Sequence, residues 1–312
     1  AEEGEAVVTI ADGASWTEIV DRLERAGLVE RRWYFEFWAR RRQLPRRVEA
    51  GTYRFEGPMD WSEMAEQLQR GVAAPEVSVT FPEGFNIFEM ADRLEERGLV
   101  GREAFLAAAR DPEAVERAGL PGESFEGYLF PDTYRFRRDV TAAEVVARLH
   151  TRWRTVWKKL VESHGESLQN VRDEHGLSRH DVVTLASIVQ AEATVDEERA
   201  LIARVLLNRL DASMKLQADP TCVYGEDLYR RAPSPELCRD PMNRYSTYVV
   251  EGLPPGPIGN PGRASLRAVM EPADGRGADE YLYFVARDDG SGEHVFSRSY
   301  SEHRRAVERH LK

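Results

Sequence analysis

An internal repeat in the first hundred residues limits the folds that this chain can adopt. Residues 8–29 read VTIADGASWTEIVDRLERAGLV and residues 79–100 read VTFPEGFNIFEMADRLEERGLV, and at an offset of 71 the two segments share 11 of 22 positions. Each copy predicts a short strand, a turn at a glycine (Gly13, Gly84) and an amphipathic helix that ends at a second glycine (Gly27, Gly98). A pattern of this kind builds small sheets packed against helices.

The repeat extends beyond these segments. Thr-Tyr-Arg-Phe occurs at 52–55 and again at 133–136, and an amphipathic helical pattern follows it each time. The sequence therefore predicts two β-α-β-α modules, at residues 1–76 and 77–150. Because the repeat stops there, we expect a third domain over residues 151–312.

The pattern after residue 150 is mainly helical. Apolar spacing predicts helices over about 153–168, 178–193 and 195–210, the second starting with Ser178 as N-cap and Asp181 three positions later. Glycine and proline then separate short apolar segments, which is typical of short strands and ordered loops that carry sites. The predicted fold class is α+β, with the duplicated modules followed by a mixed, helix-rich domain that contains a small sheet.

The charge of the chain argues against nucleic acid as a partner. Of 312 residues, 43 are Lys or Arg and 54 are Asp or Glu, which gives a formal net charge of −11. Phosphate backbones select basic surfaces, which this composition lacks. No apolar run reaches the roughly 20 residues of a membrane-spanning helix. The sequence opens at Ala1 with an acidic segment, so we expect a processed fragment that a signal or an anchor could have preceded.

The cysteines and histidines do not form a metal motif. Cys222 and Cys238 lie outside any CxxC pair, so a zinc site is not expected. A disulfide bond between them and two separate buried thiols are equally compatible with the sequence. His294 and His303 lack a third ligand at metal-like spacing, and we predict neither a metal nor another cofactor.

One glutamate follows apolar residues at helical spacing. Glu192 comes three, four and seven residues after apolar positions, which are Val189, Ile188 and Leu185. Burial on that face would raise its pKa and keep it protonated near neutral pH, as a general acid requires. The alternative is an exposed glutamate in a frayed last turn. The chain lacks GxSxG, HExxH and phosphate-loop motifs, which leaves chemistry based on carboxylates and hydroxyls.

Several motifs occur in one order along nearly the whole chain. Together they resemble the MltG-type (YceG-like) endolytic murein transglycosylases. They are FPEG at 81–84, EGYLFPDTY at 126–134, ASIVQAEA at 186–193, NRL at 208–210, LQADPT at 216–221, GLPPGPI at 252–258, NPG at 260–262, YLYFV at 281–285 and HVFS at 294–297. The chain departs from the family pattern at Gln190, where many relatives carry Glu, and at Ser246, where the family carries Asn.

The resemblance implies a lytic murein transglycosylase at the periplasmic face of the inner membrane, held by an N-terminal anchor outside this chain. Such an enzyme cuts nascent peptidoglycan strands between N-acetylmuramic acid and N-acetylglucosamine, and we expect it to end strand elongation. The muramyl 6-hydroxyl replaces water as the nucleophile and leaves a 1,6-anhydro end, so a single carboxyl acts first as acid and then as base. The family's catalytic glutamate corresponds to Glu192. Peptidoglycan synthases are candidate partners.

Seven further residues are candidate substrate contacts. They are Gln217, Asp219, Glu126, Asn208, Tyr224, Tyr245 and Tyr248. On an extended segment Gln217 and Asp219 face the same way. The tyrosines could stack on the C–H faces of sugar rings, and Glu126 could be a second carboxyl of the cleft. The alternatives are ordinary roles in turns, caps, salt bridges and the core.

Two other functions stay open at this point. The protein could be a non-catalytic peptidoglycan-binding scaffold, or a glycan hydrolase that uses Asp219 or Glu126 as its second carboxylate. The repeated N-terminal part is similar to LysM-like modules, which bind N-acetylglucosamine polymers. Its alternative role is that of a spacer between the anchor and the catalytic domain.

Overall fold

Two compact units make up the chain in a computed structural model that describes residues 5–11, 13–44, 48–56, 59–70, 76–275 and 277–310. Unit 1 is Ala1–Glu76 and unit 2 is Val77–Lys312, and each has its own hydrophobic core. Helices predominate, and the strands in the described ranges form three two-stranded sheets. The predicted α+β class is therefore confirmed.

The described residues of unit 1 form two strands and three helices. They are β1 (Glu5–Ile10), α1 (Trp16–Arg25), α2 (Arg32–Arg41), β2 (Gly51–Glu56) and α3 (Trp61–Arg70). The strands pair antiparallel, with Val8 opposite Tyr53. Every second residue of the strands and one side of each helix face the core. These are the positions at which apolar residues recur, with a period of about 2 in strands and about 3.6 in helices. Its fully buried residues include Val20, Leu23, Phe35, Phe55 and Leu68.

The elements that follow belong to unit 2, apart from Glu76, the first residue of β3, which is the last residue of unit 1. They are β3 (Glu76–Thr80), α4 (Ile87–Glu96), α5 (Arg102–Ala109), α6 (Pro112–Arg117), β4 (Thr133–Arg137), α7 (Ala142–His175), α8 (Arg179–Glu192), α9 (Arg199–Asp211), α10 (Pro235–Cys238), α11 (Arg263–Met270), β5 (Tyr283–Ala286), β6 (His294–Ser297) and α12 (Tyr300–His310). Strands β3 and β4 pair with each other, and β5 pairs antiparallel with β6. One apolar cluster runs from Val79 to Met270, and Phe284 and Phe296 of β5 and β6 pack against it, so the early and late parts of the unit share a core.

Capping explains why the helices of the two sequence copies begin and end where they do. In α1 the Ser15 side chain accepts from the Glu18 backbone N–H, and the Glu18 carboxylate accepts from the Ser15 backbone N–H. Asn86 and Glu89 form the same capping box at the start of α4. Capping of this kind is worth about 1 kcal/mol per helix. The helices end before Gly27 and Gly98, whose φ angles of 73° and 63° suit glycine and confirm the predicted helix ends.

Equivalent contacts between secondary-structure elements occur within each of the two copies. The Thr9 and Thr52 hydroxyls lie 3.1 Å apart in unit 1, and those of Thr80 and Thr133 lie 2.8 Å apart in unit 2. The first arginine of the next helix bonds an aspartate of the preceding helix in both units. The pairs are Arg32 with Asp21 and Arg102 with Asp92.

The expected boundary at residue 150 falls inside a helix. The segment predicted at 153–168 is the middle of α7, which runs from Ala142 to His175 with a kink at His164. Its buried residues continue at helical spacing through the end of the repeat: Val145, Leu149, Trp153, Val156 and Leu160. Residues 77–150 and 151–312 therefore belong to one compact unit. No helix in the described ranges is long and apolar enough to span a bilayer.

A loop near residue 260 joins the early and late parts of unit 2. Asn260 exchanges backbone hydrogen bonds with the β3–α4 turn, donating to Phe85 O at 3.0 Å and accepting from Gly84 N at 2.8 Å. Gly127 has a φ of 83°, and a Cβ atom there would come within 2.4 Å of the Pro257 ring. A side chain at residue 127 would therefore separate the two segments.

Candidate active site

Helix α8 carries Glu192 as its last residue. Ser178 caps the start of the helix, as predicted, and every side chain from Val182 to Val189 is buried. A helix that is apolar on all sides is a core element, so an apolar face does not distinguish Glu192 from its neighbours. Its distinguishing feature is its place at the helix end.

The surroundings of Glu192 favour its protonated form. The residue is half-buried. Burial is the main cause that raises its pKa, to about 7, and the nearby Asp219 carboxylate adds to the increase. The Arg209 guanidinium and the Asp219 backbone N–H act in the opposite direction. A carboxyl with this pKa can both give and take a proton near neutral pH.

Arg209 is a charged neighbour of Glu192 whose hydrogen bonds go to the backbone. It is 7% exposed, and it donates from Nε to Leu282 O at 2.6 Å and from a terminal nitrogen to Leu216 O at 2.5 Å. Its guanidinium also lies 5.3 Å from the centre of the Tyr283 ring. These contacts fix the position of the positive charge. In the sequence, the favourable interaction with the helix dipole is a sufficient reason for an arginine at position 209. Only the structure shows that Arg209 is buried beside Glu192.

Asp219 and Tyr248 lie together near Glu192. The Tyr248 hydroxyl donates to Asp219 Oδ1 at 2.6 Å, and both residues line a cavity of about 300 Å³ next to Cys238 and Arg239. Gln217 is exposed and has a φ of 49°, so its segment is not extended. The extended segment that would turn Gln217 and Asp219 to one side is therefore not formed, and their roles as substrate contacts stay predictions.

A second buried carboxyl, Glu126, is 3% exposed and fully engaged in hydrogen bonds. It accepts from Ile87 N at 3.0 Å, from the Tyr224 hydroxyl at 3.0 Å and from Asn260 Nδ2 at 2.8 Å. Burial raises its pKa to about 8 against the effect of the donors. Asn260 in turn accepts from Leu129 N at 2.9 Å through its Oδ1 atom. In the sequence, Asn260 is marked only by its NPG motif, because the partners of its side chain lie 131 to 175 positions away.

Glu126 lines a cavity of about 580 Å³, together with two predicted aromatic contacts. The rings of Tyr224 and Tyr245 are 4.4 Å apart between centroids, and they pack against each other at its wall. The remaining lining is mostly polar and charged. It includes Arg110, Glu123, His180, Glu226 and Arg244.

A disulfide bond lies between these two regions. Cys222 and Cys238 are bonded, with Cα atoms 4.7 Å apart, which settles the alternative that the sequence leaves open. Cys222 belongs to the short 3₁₀ helix Asp219–Val223, so it follows the aspartate near Glu192 and precedes the tyrosine that bonds Glu126. Ser246 is fully buried beside the bond and donates to Cys238 O at 2.6 Å, which is a structural role.

Asn208 and Gln190 bond to neighbouring segments of the protein. Asn208 donates both amide hydrogens to backbone carbonyls, of Ala278 at 3.1 Å and Tyr281 at 2.9 Å, and so holds the segment before β5. Gln190 accepts from Gly262 N at 3.0 Å and from the Ser265 hydroxyl at 2.8 Å. Their hydrogen bonds within the protein explain both residues without a substrate.

His294 has a carboxylate partner. Its Nδ1 atom lies 2.7 Å from Glu198 Oε2, and its backbone N–H donates to the same carboxylate at 2.9 Å. This pair ties β6 to the segment between α8 and α9. Among the described residues, no group of three or more His, Cys, Asp or Glu side chains is placed to hold a metal ion.

Residues 8–309 match the sequence model of the YceG-like family, so the chain belongs to this family. It is 27% identical to proteins named endolytic murein transglycosylase from Bacillus subtilis and from Streptococcus pneumoniae, each time over 97% of this chain. It covers 84% of the Bacillus protein but only 58% of the pneumococcal one. A crystal structure of a yceG-like protein from Listeria monocytogenes matches with a TM-score of 0.63 and 27% identity, over 97% of this chain and 99% of that one.

Proposed function

We propose that this protein is an endolytic lytic transglycosylase of peptidoglycan, with Glu192 as its single general acid and base. The bond cut is the β-1,4 bond between N-acetylmuramic acid and N-acetylglucosamine. Glu192 gives its proton to the glycosidic oxygen as the C1–O bond breaks. It then takes the proton of the muramyl 6-hydroxyl as that oxygen bonds to C1, so the products are a free 4-hydroxyl and a 1,6-anhydro ring.

The main observation in support of this function is that the carboxyl of Glu192 lies at the end of a rigid core helix. Its raised pKa, to about 7, leaves a large share of the molecules protonated at neutral pH. An acid with a pKa near the working pH is also an adequate base for the second half of the reaction. The names of the relatives support the substrate and the reaction class.

The two cavities support a site that reaches both ends of the Asp219–Val223 helix, since one is lined by Asp219 and the other by Tyr224. Asp219 and Tyr248 line one cavity, and Glu126, Tyr224 and Tyr245 line the other. We assign sugar hydroxyls to Asp219 and the aromatic walls to sugar rings. Gln217 is exposed close to this helix and completes the assigned contacts. Asn208 is omitted because its amide hydrogens are already used.

The biological setting belongs to the same proposal. The enzyme acts on nascent strands at the periplasmic face of the inner membrane, held there by an N-terminal anchor, and terminates their elongation beside a peptidoglycan synthase. The disulfide bond supports an oxidising compartment. The two strand-and-helix copies serve as LysM-like modules that position the glycan.

The test is mass spectrometry of glycan strands digested by the purified protein. New 1,6-anhydro-muramyl ends are expected, and they should be absent with Glu192→Gln, which keeps the shape of the side chain but cannot transfer the proton. Glu197→Gln, an exposed neighbour, is the matched control and should cut like the wild type. Reducing ends would instead indicate a hydrolase that uses Asp219 as second carboxylate. No new ends from a folded protein would indicate a binding scaffold.

A further inference from the structure

Helix α2 of unit 1 presents large aromatic side chains to solvent. Trp33 is 73% exposed and Phe37 is 56% exposed, and the spacing of four residues puts both on one side of the helix. Tyr34 is 48% exposed beside them. The opposite side is the packed one, with Phe35 and Ala39 fully buried. The outward rings therefore leave a contiguous apolar surface in water, which is typical of an interaction site.

Arginines lie beside this surface. The Arg41 guanidinium lies 5.3 Å from the centre of the exposed Phe37 ring, and that of Arg42 lies 4.8 Å from the neighbouring, half-buried Trp38 ring. Residues 31–47 hold seven arginines and one glutamate, in a chain whose formal net charge is −11. Positive charge is thus concentrated on one short segment of an acidic protein.

Helix α5 of unit 2 shows how the same helix packs in the second copy. At an offset of 70 residues, the buried pair Phe35 and Ala39 of α2 corresponds to Phe105 and Ala109 of α5. All four are fully buried. The two helices therefore use the same inward residues to join their cores.

The outward positions of the two helices differ. At the same offset Trp33 corresponds to Glu103 and Phe37 corresponds to Ala107, and all four are exposed. A carboxylate and a methyl group are thus sufficient for the helix to pack. Folding therefore does not require the rings of Trp33 and Phe37, so their presence has another cause.

We propose that α2 binds the surface of a lipid bilayer that contains anionic headgroups. Trp33 and Phe37 enter the boundary between headgroups and acyl chains, and the arginines beside them pair with lipid phosphates. Exposed aromatic residues on a basic helix are the composition of helices that lie in this interface. A neutral N-acetylglucosamine polymer would use the rings but gain nothing from the concentrated positive charge. This binding is independent of the Glu192 chemistry, and its failure would leave that chemistry unaffected.

The experiment is cosedimentation of the 312-residue chain with vesicles of phosphatidylcholine, alone or mixed with phosphatidylglycerol. Binding is expected only to the mixed vesicles, and it should weaken as salt is added. Trp33→Glu with Phe37→Ala places the residues of α5 on α2, and it should weaken binding at least about tenfold. Arg40→Gln with Arg41→Gln should weaken it by about five- to thirtyfold, since each arginine near an anionic surface contributes about 1 kcal/mol.

The matched control is the pair Met242→Ala and Tyr300→Ala, which removes two exposed apolar side chains of unit 2. This variant should bind like the wild type. Circular dichroism and thermal melts verify that every variant is folded. No binding to the mixed vesicles, or binding that the α2 substitutions leave unchanged, would overturn the proposal. The proposal would also be overturned if the vesicles bound no protein while purified murein or an acidic protein bound the chain in a way that required Trp33.

Discussion

Two carboxyls of unit 2 have similarly raised pKa values but very different surroundings. Burial raises the pKa of Glu126 to about 8 and that of Glu192 to about 7. Glu126 accepts hydrogen bonds from three donors of three separate segments and is 3% exposed. Glu192 is half-buried at a helix end, with an acidic neighbour and a guanidinium whose hydrogen bonds go to backbone carbonyls.

The difference shows that a raised pKa alone does not identify a catalytic acid. The Glu126 oxygens are occupied by donors that also connect the early and late halves of the unit. A group of that kind is costly to remove and poorly placed to exchange protons with a ligand. Glu192 retains access to solvent, and a rigid core helix fixes its position, which are the conditions for proton transfer to a substrate.

The largest expected effect is on the rate of glycan cleavage. Glu192→Gln should lower kcat by about 10²–10⁴-fold, the usual contribution of a positioned acid–base group. Glu126→Gln should cost about tenfold or less, corresponding to about 1.4 kcal/mol, since the hydrogen bonds of Glu126 hold the surrounding segments and transfer no proton to the glycan. Single-turnover release of 1,6-anhydro ends measures both. Equal losses for two folded variants would contradict the division of roles.

The next effect concerns the segment that lies between the two carboxyls. The double variant Cys222→Ala, Cys238→Ala opens a loop of 16 residues, and the chain-entropy estimate for such a loop is about 3 kcal/mol. Chemical denaturation with and without reductant measures this loss. The reduced wild type should match the oxidised double variant. A loss below about 1 kcal/mol would show that packing alone holds the segment.

A smaller effect is expected on stability from Glu126→Gln. Whichever way the amide is turned, its NH₂ group faces either Ile87 N or Asn260 Nδ2, which are both donors. One unsatisfied donor should lower the free energy of unfolding by about 1–3 kcal/mol.

The same variant should change the pH dependence of stability. Because the pKa of Glu126 is raised in the folded protein, its contribution to stability is greatest below the pKa of the unfolded chain and falls as pH rises from about 4.5 through about 8. The variant should flatten this fall, and urea denaturation across that range measures it.

The smallest expected effect is a displacement of the pH profile of cleavage. A general acid must be protonated, so the wild-type rate should fall as pH rises through about 7. Asp219→Asn removes a negative charge that raises the pKa of Glu192, so the midpoint should move to lower pH. Asp139→Asn, on an exposed loop, is the control and should leave the midpoint in place. A midpoint that stays or rises in Asp219→Asn would contradict the electrostatic role of Asp219.

Local patterns in the sequence predict much of the fold. Helix starts at Ser178 and helix ends before Gly27 and Gly98 follow from capping chemistry, which acts over a few residues. The boundary expected at residue 150 rests on the end of the repeat, whereas the apolar stripe of α7 continues through that residue. A repeat describes the history of a sequence, and packing determines where a compact unit ends.

The site is less predictable because its partners are distant in sequence. Glu192 follows from the motif around it, but the positions of Arg209 and Asp219 beside it require the tertiary fold. Asn208 looks like a substrate contact in a helix until its acceptors near residue 280 are known. The pairing of Cys222 with Cys238 is likewise a matter of geometry that spacing leaves undecided.

The contacts of Asn260 have a consequence for the order in which the protein forms during synthesis. Unit 1 can close its core once its 76 residues have emerged, but the β3–α4 turn of unit 2 has a hydrogen-bond partner 175 positions later. At about 5–20 residues per second, the ribosome needs roughly 9–35 s to supply it. In the last part of this interval α8 (Arg179–Glu192) has been synthesised but α11 (Arg263–Met270), which packs against it, has not, so the apolar surface of α8 lacks part of its cover. The nascent chain is therefore exposed to aggregation late in translation, and its C-terminal third decides whether unit 2 folds.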